Sequence, residues 1–224
     1  MWWKVLTGVL LGIVIILVFT MPAPQKELGD ISRIFFFHVP VAWVTVLAFL
    51  VAMINSILYL SRKNPICDLR AAIASQLGFL FAILATISGA IFAKNAWGSF
   101  WNWDPRETSV FILLLIYGAY LALRSAIEAE DRRANLSAVY SILAFITVPF
   151  LVFVVPRVFQ SLHPTDTIVN SQVKFQMPPL LLFIFLGSLL GFSLLFFWIY
   201  NLEVRLNVLY KKAKEVNSQD KRRS

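Results

Sequence analysis

The sequence predicts an all-α, polytopic integral membrane protein with six transmembrane helices. Hydrophobic residues make up 59% of the chain, charged residues only 14%, and the mean hydropathy is +0.75. Soluble domains carry about a quarter of charged residues, so this composition places the chain in a bilayer. Six apolar stretches are each long enough to cross a hydrocarbon core of about 30 Å as a helix.

The predicted spans cover, in chain order, residues 5–21, 39–60, 71–93, 108–123, 136–155 and 179–200. The first stretch has no small-x-small cleavage site and is followed by MPAPQ, so we expect an uncleaved anchor. Neither repeats nor low-complexity linkers interrupt the pattern, which indicates one transmembrane domain over residues 1–200. Residues 201–224 are polar and rich in Lys and Arg, and we expect a basic, partly disordered tail.

The distribution of Lys and Arg predicts that both chain ends are cytoplasmic. Fourteen of the 20 basic residues fall on the side that holds the two ends, and six fall on the opposite side. The tail supplies half of the fourteen, but the short loops after the second and fourth spans are also denser in Lys and Arg than the outer loops. The net charge of +8 is therefore a sign of orientation at a lipid membrane rather than of nucleic-acid binding.

Several chemistries are excluded by the residues present. Cys67 is the only cysteine, which rules out an internal disulfide, a CxxC site and the CxxCH attachment of a c-type haem. The sequence has no Walker-type glycine-rich loop and no Ser or Cys in a nucleophile motif. The chain is thus neither an ATPase by itself nor a recognisable enzyme of a common class.

The loop between the third and fourth spans, about residues 94–107, contains the stretch WGSFWNWDPRET. Tryptophan is common at membrane interfaces because its ring is apolar and its N–H is polar. Such a belt needs one ring per helix end, whereas Trp97, Trp101 and Trp103 supply three within seven residues. We interpret them as a platform for a flat apolar ligand. If the stretch is helical, Trp97 and Trp101 share a face and Trp103 points elsewhere.

The string DPRET is typical of a helix start. Asp104 is predicted to be the N-cap, Pro105 the first helical residue, and Glu107 the residue that closes a capping box. Capping alone could account for Asp104, so a structural and a functional role both stay open. Arg106 is not explained by capping, because a cation in the first turn opposes the helix dipole. We therefore expect an anion beside it.

The chain has only two histidines, His38 and His163, and the predicted topology places both on the side of the tryptophans. Either imidazole could simply bond free backbone groups at a loop–helix junction. Together they are the usual pair for a haem iron or another transition metal, whereas zinc usually takes three or four protein ligands. Haem also carries two propionates, for which Arg33, Arg106 and Arg157 are candidates, unless these arginines simply reach the lipid headgroups.

The pattern W-G-x-F-W-x-W-D-x-R-x-T, with one histidine on each side, resembles the WWD signature of cytochrome c assembly proteins. Six spans and the phrases RIFFFHVP and SLHPTDT are most similar to the CcmC-type family, the haem-handling membrane subunits of system I maturation. The resemblance runs from about Arg33 to the sixth span. Phe100 departs from it, since tryptophan is frequent there. System II synthases share the loop but are longer and carry additional histidines.

The resemblance implies that the protein holds haem b non-covalently and transiently at the periplasmic face of a bacterial-type inner membrane. The two histidines would be axial ligands, and the residues that shape the site would be Trp97, Trp101, Trp103 and Asp104. Delivery would be to the haem chaperone CcmE, in a membrane complex with the ATP-binding subunit CcmA, the membrane subunit CcmB and the small protein CcmD. Two alternatives stay open: a haem-exporting permease subunit, and a membrane anchor for assembly partners that binds no haem.

Overall fold

The computed structural model describes residues 2–163 and 177–223, and every regular element within them is helical. The α-helices are α1 (Trp2–Thr20), α2 (Phe35–Arg62), α3 (Pro65–Trp97), α4 (Pro105–Ala126), α5 (Glu130–Pro149), α6 (Val155–Val158) and α7 (Pro179–Arg223). A 3-10 turn, Gly29–Ile34, leads into α2, and a π-helical turn, Phe150–Val154, joins α5 to α6. Lys174 and residues 164–167 of the SLHPTDT phrase lie outside the described residues.

Six of these segments are long and apolar enough to cross a membrane, which confirms the predicted polytopic helical fold. The helices extend beyond the apolar stretches, because helical structure continues into the polar residues at the span ends. Consecutive spans run in opposite directions. One side, the loop face, therefore holds the start of α2, the loop 98–104 and residues 159–163. The other side, the terminal face, holds the start of α1 and the end of the sixth span, where Trp3 contacts Trp198.

Helix α2 lies at the centre of the fold. It contributes to four buried apolar clusters, one with α3 and α7, one with α4 and α5, one with α1 and α7, and one with α3 and α5. Small residues bring α2 and α3 together, among them Ala48, Ala52 and Ala74. A Cβ on Gly78 would fall 2.5 Å from the Phe49 ring, so only glycine fits there. In a bilayer, such close packing of small residues is what holds helices together.

A charge pair fixes the terminal face. Arg124, in the last turn of α4, donates to both carboxylate oxygens of Asp68, in the first turn of α3, at 2.7 and 2.5 Å. Both side chains are largely buried, and the fork geometry gives two parallel charge-assisted hydrogen bonds. Each residue also has the charge that its helix end favours.

The start of α2 differs from the predicted loop–helix junction at His38. The helix already begins at Phe35, so His38 lies on its first turns rather than before the span. Pro40 has no N–H to give to the carbonyl of Phe36, four residues earlier. That carbonyl instead accepts a hydrogen bond from the Ser188 hydroxyl of α7, which explains why the helix tolerates the proline.

Residues 201–223 do not form the partly disordered tail that the sequence suggested. Helix α7 continues from the sixth span to Arg223. The segment contains neither Gly nor Pro, the two residues that most often end a helix, so nothing in it interrupts the backbone hydrogen bonds.

Candidate functional site

The tryptophan-rich stretch begins where α3 ends. Trp97 is the last helical residue, and Gly98 follows with φ +84° and donates its N–H to the Lys94 carbonyl. Glycine adopts this left-handed conformation at little cost, so it reverses the chain here. The stretch is thus a loop rather than a helix, and Trp97 and Trp101 do not share a helical face.

Asp104 starts α4 as the sequence predicts. Its Oδ1 accepts from the N–H of Arg106 at 2.9 Å, and Glu107 Oε2 accepts from the N–H of Asp104 at 3.3 Å, which completes the capping box. Glu107 Oε2 also accepts from the N–H of Asn102 at 2.8 Å. One glutamate therefore fixes both the end of the loop and the start of the helix.

Asp104 also holds a segment that is distant in sequence. Its carboxylate accepts from the Ser161 hydroxyl at 2.9 Å and from the Leu162 N–H at 2.6 Å. It lies 3.0 Å from Nδ1 of His163. The side chain is buried, with a residue exposure of 3%, so these contacts are protected from water. Asp104 therefore does more than cap a helix: it fixes His163 beside the tryptophan loop.

The protonation of this pair follows from its surroundings. Burial by itself would raise the pKa of the Asp104 carboxyl, but hydrogen bonds from Arg106, Leu162 and Ser161 outweigh it and lower that pKa. Burial lowers the pKa of His163 below its ordinary value, against the attraction of Asp104. A neutral imidazole thus faces a carboxylate, which only accepts hydrogen bonds. The proton of His163 is therefore on Nδ1, and the lone pair of Nε2 stays available.

His38 is arranged in the same way by α3. Its Nδ1 lies 2.9 Å from the Ser88 hydroxyl oxygen, and Ser88 donates its own proton to the Leu84 carbonyl at 2.8 Å. Since that proton is already used, we assign Nδ1–H of His38 as the donor to Ser88, with the Ala85 carbonyl as a further acceptor beside this ring. The two imidazoles are close enough to interact electrostatically. In the part of the chain that the structure describes, the side chains that hold the two rings, Ser88 and Asp104, both contact Nδ1.

Gly89 leaves the space on α3 that the His38 ring occupies. A Cβ on Gly89 would fall 2.9 Å from Cε1 of His38 and within 3.7 Å of both ring nitrogens. The imidazole therefore packs directly on the α3 backbone, and no larger residue fits without moving the ring.

The aromatic residues of the loop form two groups. Trp97 packs edge-to-face against the His163 ring, with centroids 4.7 Å apart, and against Phe92 at 5.7 Å. Trp101 contacts Trp103 at 5.8 Å. The three tryptophans therefore form two groups rather than the predicted single platform. Trp97 packs on His163, and Trp101 packs on Trp103.

Trp103 is held in an unusual state. Its backbone has φ +56°, a left-handed conformation that bulky residues rarely adopt, and its side chain is 71% exposed. The strain of such a residue is of the order of 1–3 kcal/mol and persists only where the surroundings impose it. Here the neighbouring Asp104 supplies the constraint, because its N–H and carboxylate are both fixed. The indole is thereby presented to the outside.

Arg106 and Arg157 lie close enough to repel each other, and Asp104 attracts Arg106. The Asp104 oxygens are nevertheless occupied by other donors, and Arg106 Nε is buried without a hydrogen-bond partner among residues 2–163 and 177–223. Arg157 lines an open depression of about 410 Å³ formed by residues 156–161. Two adjacent guanidinium groups with a buried unpaired N–H favour an anion.

Arg33 makes its hydrogen bonds near the end of α1. Its Nε donates to Asp30 at 2.9 Å, and its Nη1 donates to the carbonyls of Met21 and Val18 at the end of α1. These carbonyls have no helical partner of their own. Arg33 therefore ties the 3-10 turn to α1, and its contacts are separate from those of the histidines.

Comparison of the sequence with known proteins finds a matching family and several relatives. The family described as "Heme exporter protein C" (CcmC) matches residues 1–219. A "Heme exporter protein C" of Bradyrhizobium diazoefficiens is 30% identical over 192 residues, covering 84% of this chain and 71% of the relative. That of Rhodobacter capsulatus is 28% identical over 199 residues, covering 87% and 80%. A "Cytochrome c biogenesis protein CcsA" of Glycine max is 46% identical over 63 residues, covering 28% and 19%.

Proposed function

The chain belongs to the CcmC family, and from that premise we propose that it binds haem b on the loop face through His38 and His163. The family gives it a haem-handling role in cytochrome c maturation, and its six spans make it a multi-pass membrane protein. Within that role, we propose that it delivers the haem to the chaperone CcmE and works with CcmA, CcmB and CcmD. The excess of basic residues on the terminal face favours a periplasmic loop face in a bacterial-type inner membrane.

The carrying observation is that both imidazoles are held at Nδ1 by a side chain of the described residues, which would leave Nε2 of each ring to bind a metal. Metal-binding histidines are usually oriented in this way, by a carboxylate or another acceptor on the second nitrogen. Asp104 does this for His163, and Ser88 for His38. Haem supplies the iron, which binds axial ligands and changes oxidation state.

The remaining residues of the loop face fit the other parts of a haem. Trp97 would cover the ring beside His163, and Trp101 and Trp103 would supply further apolar surface. Arg106 and Arg157 would bind the propionates, since the two guanidinium groups repel each other and Arg106 Nε is buried without a partner among the described residues. The protein's part is to orient the imidazoles, exclude water and present the exposed Trp103 side to a partner.

The histidine assignment is tested by spectroscopy. Purified from a haem-producing host, the protein should show a b-type spectrum with two nitrogen ligands. His38→Ala and His163→Ala should each change it to a five-coordinate form with haem content reduced about tenfold or more. Trp2→Ala, on the terminal face, should leave it unchanged. Unaltered spectra in both histidine variants would refute the assignment. Full cytochrome c assembly by a His38→Ala, His163→Ala, Trp103→Ala triple variant would instead support an anchor.

Gly89→Ala tests the orientation of His38 without removing a ligand. The new methyl would force the imidazole from its position on α3, so we expect haem binding about tenfold weaker, with His163 ligation retained. Gly118→Ala is the matched control, because its Cβ would make only ordinary contact with Phe79 at 3.7 Å. Haem titrations of both variants give the comparison. Equal affinities would mean that the His38 ring is not held by Gly89.

A further inference from the structure

Helix α7 carries an apolar stripe beyond the sixth span. The spacing of its members alternates between four and three residues, which is the a/d repeat of a coiled coil. All of them are exposed, the leucines and valine by 47–64%: Leu202, Leu206, Leu209, Ala213 and Val216. We call this set the α7 stripe. Exposed apolar residues scattered singly need no explanation, but a regular seam does.

The α7 stripe lies in water rather than in lipid. Residues 179–200 already span about 33 Å as a helix, enough for a hydrocarbon core of about 30 Å. Polar and charged residues follow at once, beginning with Asn201 and Glu203. Because the helix continues without Gly or Pro, it carries Val216 about 24 Å along the helix axis beyond residue 200.

The stripe also faces away from the rest of the chain. Val204, on another face of the same turn, is buried in the cluster that α7 forms with α2 and α3, as is Tyr200 one turn earlier. Val204 occupies the position farthest from the a/d seam in the heptad. The protein's own core therefore holds one side of α7 and leaves the seam for another molecule.

We propose that the α7 stripe binds an acidic amphipathic helix of a partner protein on the terminal face. Exposed Arg205 and Lys212 flank the seam at the positions where coiled coils form interhelical ion pairs. Residues 201–223 contain seven basic and three acidic residues. A second copy would bring Arg205 and Lys212 against like charges or against neutral Tyr210, whereas glutamates on the partner would pair with them. This inference does not depend on the haem site.

The test uses full-length protein in phosphatidylcholine nanodiscs and two fluorescent three-heptad peptides. Both peptides have leucine at a and d, and one has glutamate and the other lysine at e and g. We expect the glutamate peptide to bind about tenfold tighter than the lysine peptide. Leu206→Ser with Leu209→Ser should abolish the binding, and Asn201→Ser with Asn207→Ser, off the stripe, should retain it. Helical content by circular dichroism shows that each variant is folded.

Other results would overturn the proposal. Equal binding of the two peptides, or undiminished binding to the leucine variant, would remove the basis for an acidic helix. A dimer in analytical ultracentrifugation that is lost in the leucine variant would assign the stripe to a second copy. A fluorophore attached at position 209 of a Leu209→Cys, Cys67→Ser variant reports whether the segment inserts into lipid. Burial of that fluorophore in anionic vesicles without peptide would assign the segment to lipid.

Discussion

Replacing Asp104 with alanine is expected to weaken haem binding by about 100-fold, the upper range for loss of a group that orients a metal ligand. The change removes the helix cap, which contributes about 1 kcal/mol. It also removes the acceptor for Ser161, Leu162 and His163. Without that carboxylate, His163 keeps only its contacts with Ser161 and Trp97, and its neutral ring could bind through either nitrogen.

Asp104→Asn separates the two roles of this side chain. Asparagine is also a good N-cap, so we expect the start of α4 and the thermal stability to be nearly kept. Leu162 donates to Oδ2 of Asp104 and His163 lies against Oδ1, whereas asparagine has an accepting oxygen in only one of these two places. We expect haem binding about tenfold weaker than in the parent, between the parent and the alanine variant.

Haem titrations and thermal melts of the three proteins distinguish the roles. Glu107→Gln provides a control at the same helix start, since it can still bond to the N–H of Asn102 and Asp104 but does not touch His163. Its haem affinity should stay close to that of the parent. If Asp104→Asn binds haem as well as the parent, the carboxylate acts only as a cap and His163 is held by other contacts.

The parts of the fold that sequence reasoning predicted are those encoded locally. Six apolar stretches correspond to six helices, because in lipid the backbone must satisfy its hydrogen bonds within each span. The capping box at Asp104 and Glu107 was likewise readable, since all its members lie within four residues. Even the grouping of His38, His163 and the tryptophans on one side follows from the order of the spans.

What could not be predicted depends on contacts between distant residues. Ser88 and Gly89 are unremarkable small residues in an apolar helix, and their role appears only when α3 packs beside His38, 50 residues earlier in the chain. Ser161 could have been suspected from its place two residues before His163, but its bond to Asp104 could not. The contacts of Arg33 were equally hidden: its hydrogen bonds go to Asp30 and to the α1 carbonyls, while its role toward a propionate stays a prediction.

The continuation of α7 as a helix beyond residue 200 was also not predicted from the sequence. Charge and polarity after residue 200 suggested disorder, whereas the absence of Gly and Pro and the a/d spacing favour a continuing helix. Composition and periodicity thus pointed in different directions. Attachment to the sixth span favours the helix over disorder. The span supplies an already formed helical turn, which an isolated segment of this length would have to nucleate itself.

Arg106→Gln is expected to lower the affinity for haem by about 30-fold, which corresponds to about 2 kcal/mol for a desolvated charge pair. Its effect should disappear for haem whose propionates are methyl esters. The reason is that Arg106 has a buried Nε without a partner among the described residues, and a neighbouring Arg157 that repels it. A propionate would accept a hydrogen bond from Arg106 Nε and would offset the repulsion between the two arginines. A methyl ester carries no negative charge and cannot offset that repulsion.

Arg33→Gln is the matched control for that experiment. It removes a guanidinium from the same face, but one whose hydrogen bonds go to Asp30 and to the α1 carbonyls. We expect it to lower the melting temperature and to leave the ratio of acid to ester affinity unchanged. Arg106→Lys adds a second comparison, since lysine keeps the charge but not the planar fork. It should recover part of the lost affinity.

Four affinities, those of the parent and of Arg106→Gln for haem and for its methyl ester, form a thermodynamic cycle. The cycle gives the interaction energy between the Arg106 guanidinium and a propionate. If Arg106→Gln weakens both haems equally, the residue acts through the start of α4 rather than on a propionate. If Arg33→Gln alone changes the ratio, the propionates lie toward α1, and the site extends in the opposite direction from His38. Either result would move the haem edge away from the depression beside Arg157. The expected result places both carboxylates at the junction of α4 and α6, where the Arg106 and Arg157 guanidinium groups lie close enough to repel each other.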